Sequence, residues 1–170
     1  LRAIYQDIFE TEVSSGGSTI TQQVIKNQVL NNDKTYNRKA NEIVLALKLE
    51  RIMTKEEILY TYLNIVPFGR DYNGDNITGI GSASFSLFGK PPSDVNLPEA
   101  AYLVGLVQSP YYYTPYEADG TLKPKDELEI GLQRQHYVLW RMRVEGLISE
   151  STYEKAEKYN IEAHLMTKRP

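Results

Sequence analysis

The chain has 170 residues, 41% of them apolar, which suits one globular domain with a real core and excludes a disordered segment. Its net charge of −3 argues against a general nucleic-acid or anionic-membrane surface, so any anion site has to be local. There is no cysteine, hence no disulfide and no thiol nucleophile, and no apolar run reaches the roughly 18 residues that a membrane-spanning helix needs. No signal peptide is visible, and the chain opens at Leu1 rather than methionine, as expected of a fragment.

Residues 1 to 13 place Leu1, Ile4, Tyr5, Ile8 and Phe9 in a helical stripe. The stripe fits a helix packed on the core, or an apolar patch that dips into a membrane interface. Ser14 to Gly17 break it. The next helix starts at Ser18 or Thr19, and Thr19 with Gln22 has capping-box spacing. At 100° per residue, Ile20, Val24, Ile25 and Val29 share one half of that helix. Thr19, Gln22, Gln23 and Lys26 share the other, with Asn27 at its edge. Such a face of amides, hydroxyls and one cation is either an ordinary polar surface or a site for an anionic or sugar-like ligand.

Asn31 to Lys34 form a polar turn, and Thr35 caps a helix expected to run to about Met53. Ala40, Ile43, Val44 and Leu47 line one side of it and Leu45, Leu49, Ile52 and Met53 the other, so it should be central and largely buried. Arg38 and Glu42 stand at i and i+4, with Lys39 beside them. They are either a surface ion pair or a partly desolvated carboxylate whose protonation the cations tune. Thr54 and Glu57 cap a helix that should bury Ile58, Leu59, Tyr62, Leu63 and Val66. Pro67 to Thr78 reads as a loop; Asp71 and Asp75 hint at calcium, but the closing Glu of an EF-hand loop is missing.

A small-residue helix over 79–88 should end at Gly89, ahead of Pro91 and Pro92. Asn96 and Glu99 cap an apolar helix whose body, Ala100 to Val107, should be buried. Ser109 to Lys125 reads as a long loop whose tyrosines cover the core. Two helices, about 126–145 and 151–159, close the chain. With no strand alternation and no βαβ rhythm, the class is all-α.

Four stretches, in order, resemble motifs of the peptidoglycan glycosyltransferases, the glycosyltransferase family 51 domain of class A penicillin-binding proteins and monofunctional transglycosylases. Gly17-Ser18-Thr19-Ile20-Thr21-Gln22-Gln23 followed by Lys26-Asn27 is similar to the second motif. Arg38-Lys39-Ala40-Asn41-Glu42 resembles the third, Lys55 to Asn64 the fourth, and Arg134 with Val138-Leu139 the fifth. The fourth motif reads as structural, since its matching residues are mainly packing positions. The first motif, Glu-Asp-x-x-Phe-x-x-His-x-Gly, has no counterpart, and neither His136 nor His164 lies in its context. That motif carries the family's general base, so these residues alone are expected to be inactive.

The resemblance implies a lysozyme-like two-lobed helical domain, N-terminally incomplete, over residues 1–167, with 168–170 starting a linker to a transpeptidase domain. It implies polymerisation of lipid II on a growing glycan chain, with release of polyprenyl pyrophosphate. The setting implied is the extracytoplasmic face of a bacterial membrane, with no nucleic-acid partner. By motif position Glu42 is the second catalytic carboxylate. Lys26 and Arg38, helped by Lys34 and Lys39, would hold the pyrophosphate, while Thr19, Gln22, Gln23 and Asn27 would bind sugar or phosphate oxygens. A divalent ion, magnesium or manganese, fits a pyrophosphate, although no metal-ligand cluster marks one. The alternatives are a lysozyme-like glycan hydrolase and a non-catalytic glycan- or lipid-binding remnant.

Overall fold

The computed structural model describes residues 18–28 and 36–167. The stripe of residues 1–13, the turn with Lys34, the Thr35 cap, Val29 and the 168–170 linker lie outside the described residues. The chain forms two compact units, residues 1–65 and 66–170. The all-α expectation holds, with one short hairpin added: the described residues hold eight α-helices and two strands.

The first unit holds α1 (Ile20–Gln28), α2 (Tyr36–Ile52) and α3 (Lys55–Ile65), with α1 packed on both others. The two capping boxes predicted in this unit form: Thr19 with Gln22 and Thr54 with Glu57 exchange side-chain and backbone bonds at 2.7–3.2 Å. The buried face of α1 is Thr21, Val24 and Ile25, whereas Ile20 is exposed. Thr21 sits between Val24 and Ile25 around the helix, near the middle of the apolar half read from the sequence, and Ile20 lies at its edge. Helix α2 also departs from expectation. Among its residues of described burial only Glu42 and Ala46 are buried, while Val44 and Leu47 are exposed, Leu47 by 57%. Periodicity shows which residues share a face, not whether anything covers it. On α3, Ile58 and Tyr62 are buried and Leu59 is exposed.

The second unit opens with the hairpin, β1 (Pro67–Arg70) and β2 (Asn76–Thr78), where the sequence read as loop. The strands pair antiparallel, with Gly69 opposite Ile77 and a register shift between Pro67 and Gly69. Strands of four and three residues are too short to show alternation. Asp71 serves their turn: its Oδ1 accepts the backbone N–H groups of Asn73 and Asp75 at 2.8 and 2.9 Å. Gly74, at φ 89°, lies where a Cβ would stand 2.2 Å from the Ala118 carbonyl oxygen.

Then follow α4 (Ile80–Phe88), α5 (Leu97–Leu106), the short α6 (Pro110–Tyr113) inside the expected loop, α7 (Lys125–Val144) and α8 (Glu150–Glu157). Gly89 ends α4 in the left-handed conformation at φ 70°, as predicted. Helix α5 is buried apart from Val104 and a few half-buried positions, and packs along α7. Of the loop tyrosines, Tyr116 covers the core, whereas Tyr111 and Tyr112 are exposed. Leu139, fully buried, packs with Ala101 and Ala156 and with half-buried Leu97, Val138 and Tyr153. The fifth-motif pair Val138-Leu139 therefore belongs to the core.

Glu99 pins three segments. It is wholly buried, and Lys90 Nζ, Tyr159 Oη and the Asn96 backbone N–H donate to it at 2.7–3.0 Å. Burial pushes its carboxyl up, but the bonds from Lys90, Tyr159 and Asn96 outweigh burial and hold it below the usual range. A lowered folded-state value gives stability that is complete above the unfolded value, about 4.3, and lost as pH falls through the folded one. Glu99→Gln should therefore melt lower than the parent at pH 7, with the gap shrinking in acid; equal gaps at pH 7 and pH 3 would refute the latch. Leu139→Ala should cost about 2–5 kcal/mol in urea unfolding.

Candidate active site

Every site residue that the family resemblance implied lies in the first unit, and the described ones gather on α1, with its cap, and α2. The entrance to α1 is fixed first. Thr19 Oγ1 accepts the Gln22 N–H at 3.2 Å, and Gln22 Oε1 accepts the Thr19 N–H at 3.1 Å. Both side chains thus complete the helix start, a role the spacing foretold, and each keeps its remaining hydrogen-bonding capacity for a ligand. One turn on, Lys26 and Asn27 are exposed.

Glu42 is 1% exposed. A carboxylate that deep needs a counter-charge at hand, and Lys39 supplies it: Nζ donates to Oε1 at 2.9 Å, one helical turn earlier. The same ammonium donates to Ser18 Oγ at 2.7 Å. One cation therefore neutralises α2's buried carboxylate and ties it to the residue that opens α1. The sequence set Arg38 and Lys39 beside Glu42, and the structure pairs the carboxylate with Lys39, at i+3 spacing. Arg38 is half-buried on the same turn of α2. Lys34 lies outside the described residues.

A second tie joins α1 to α3. Tyr62 Oη donates to Gln23 Oε1 at 3.2 Å, and Gln23 Nε2 reaches the Ser18 carbonyl at 3.5 Å. Burial pushes the Tyr62 hydroxyl up, so it stays a protonated donor. Ser18 and Tyr62 were named from the sequence as a candidate helix start and a packing position, but not as site residues. Ser18 precedes the cap and Tyr62 sits in a packing pattern, so neither spacing nor periodicity marks them.

Structure thus brings Ser18, Lys39 and Glu42 together and holds Gln23 beside the same helix entrance. Among the described residues no three His, Asp or Glu side chains converge as a metal site. Glu42 is the carboxylate at hand, and it faces an ammonium, so these residues do not fit a resident magnesium or manganese ion.

A family model described as Transglycosylase matches residues 1–143. The chain is 37% identical over 169 residues to penicillin-binding protein 1A of Pseudomonas aeruginosa, covering 98% of this chain and 19% of that protein. It is 42% identical over 159 residues to penicillin-binding protein 1A/1B of Bacillus subtilis, covering 93% and 16%. It is 44% identical over 142 residues to penicillin-binding protein 1A of Clostridium perfringens, covering 83% and 19%. The fold is similar to the crystal structure of penicillin-binding protein 1A from Haemophilus influenzae, with a TM-score of 0.50 at 21% identity over 88% of this chain and 17% of that one. This chain thus spans less than a fifth of the length of these relatives.

Lys39→Met should strand the buried Glu42 carboxylate and cost about 1–3 kcal/mol in urea unfolding. Lys26→Met, on an exposed side chain, should stay within about 0.5 kcal/mol. Equal losses would contradict the pairing.

Proposed function

The chain belongs to the transglycosylase family, and on that footing we propose that it is a peptidoglycan glycosyltransferase that polymerises lipid II. The single observation that carries the reading is the buried Glu42 carboxylate, paired with Lys39 and tied to the Ser18 start of the helix that presents Gln23, Lys26 and Asn27. In this reaction the acceptor hydroxyl of lipid II attacks the anomeric carbon of the growing glycan with inversion. The bond to polyprenyl pyrophosphate breaks and the pyrophosphate leaves with the electron pair. The proton of the attacking hydroxyl goes to a general base that the family carries in its first motif.

What these residues contribute is the leaving-group side. Negative charge gathers on the departing pyrophosphate, and fixed cations lower that barrier. Lys26 and Arg38 bind the pyrophosphate, with Lys34 and Lys39 adding positive potential. Glu42 holds Lys39 in place. Gln23, Asn27 and the spare capacity of Thr19 and Gln22 take sugar or phosphate oxygens. Magnesium or manganese enters this proposal only as a companion of the pyrophosphate, and the chain's own cations do the work assigned here.

The relatives' printed names, and their much greater length, support a penicillin-binding transpeptidase domain in the same protein, joined to residues 1–167 by a linker that begins at 168–170. The proposed setting is the outer face of a bacterial cell membrane.

Lipid II polymerisation by the natural full-length protein tests the reading. Lys26→Ala and Arg38→Ala should each lower turnover about ten- to a thousandfold, the scale of a lost oxyanion contact. Glu42→Gln should keep the fold and cut turnover about a hundredfold. A Glu42→Gln protein that melts lower yet turns over normally per folded molecule would make that carboxylate structural only.

A further inference from the structure

We infer that Tyr62, in the fourth family motif, is a positioning residue that acts on substrate through Gln23. The inference rests on the proposed function, because it takes Gln23 as a ligand contact. A primary amide has two nearly isosteric ends, one accepting and one donating, and can turn either to a ligand. Tyr62 Oη, donating to Gln23 Oε1 at 3.2 Å, and the Ser18 carbonyl, which can only accept, together remove that choice. The Gln23 amide is then fixed with Nε2 on its other side, where two N–H groups are available. One reaches the Ser18 carbonyl at 3.5 Å, the outer limit of a hydrogen bond, and the other is left to donate to a ligand oxygen.

Three further facts fit a positioning role better than packing alone. Tyr62 is buried at the junction of α1 and α3, so its ring cannot swing away. Its hydroxyl is held protonated by burial, so the bond to Gln23 persists through the working pH range. A phenylalanine would fill the same space, so packing by itself asks for no hydroxyl there. What the hydroxyl adds is the orientation of an amide that stands one turn before Lys26. An oriented donor loses less freedom on binding than one that must be ordered by the ligand.

The test is a double-mutant cycle on the natural full-length protein with lipid II as substrate. Tyr62→Phe should raise KM about three- to tenfold, the scale of one orienting hydrogen bond, and leave kcat within about twofold. In a Gln23→Ala background the same change should do nothing further. Gln23→Glu keeps an acceptor for Tyr62 but removes the donor, and should match Gln23→Ala in KM. If Tyr62→Phe alters KM by the same factor with or without Gln23, the hydroxyl acts by general stabilisation and the inference fails. It also fails if Gln23→Ala raises KM while Tyr62→Phe does not. A Gln23→Ala protein with wild-type KM would instead overturn the assignment of Gln23 as a ligand contact, and the inference with it.

Discussion

A carboxylate taken out of water has to be answered where it stands. Glu42 is all but fully buried, and an uncompensated charge there would cost several kcal/mol. Lys39 answers it from one turn earlier, and because that ammonium also reaches Ser18, neutralising the charge fixes the entrance of α1 as well. Gln23 and Tyr62 add the second tie, from α1 to α3. The polar face of α1 is thereby held at its start and along its first turn, while Lys26 and Asn27, nearer its end, remain open to solvent.

The second unit uses the same physics to another end. Glu99 is buried as completely as Glu42 and also has a lysine partner, Lys90. There every bond comes from the chain's own scaffold: a lysine just past the C-terminus of α4, a backbone amide at the start of α5 and a tyrosine just past α8. Such a carboxylate locks elements to one another. Glu42 instead holds Lys39, whose ammonium also reaches Ser18 at the entrance of α1. Burial and pairing alone would rank the two carboxylates together. What separates them is what the partner lysine does next: Lys39 carries the tie on to the start of a helix whose later residues, Lys26 and Asn27, are exposed.

Local chemistry was the most legible part of the sequence. Three capping boxes, at Thr19, Thr54 and Asn96, and the glycine stop at Gly89 follow from backbone groups that need partners within four residues, and all four form. Burial was less legible, because it depends on what a face meets. Val44 and Leu47 share a side of α2 as periodicity required, yet lie exposed, and Thr21 takes the buried place assigned to Ile20. The hairpin escaped because its strands are shorter than the pattern that would reveal them. At the site, Glu42, Lys39 and Gln23 could be named from motif wording. The wording of the second and fourth motifs includes Ser18 and Tyr62 but not their roles, which are defined by partners 21 and 39 residues away.

The contrast between Lys39 and Lys26 suggests how the proposed site divides its work. Lys39 is immobilised before any ligand arrives, with a buried carboxylate and a hydroxyl as acceptors. Its field is part of the resting structure and needs no reorganisation during the reaction, which is what makes such groups effective. Lys26 stands exposed, so a phosphate that engages it must also order its side chain, at about 1–2 kcal/mol of lost rotamer freedom. An ion pair that begins with that cost is weak against a diffuse charge and stronger against a concentrated one. Charge on a pyrophosphate is most concentrated as it departs from the anomeric carbon. On the proposed chemistry both cations gain as charge concentrates on the leaving pyrophosphate, Lys39 with no ordering cost and Lys26 after that cost is met, and such a gain raises turnover rather than affinity.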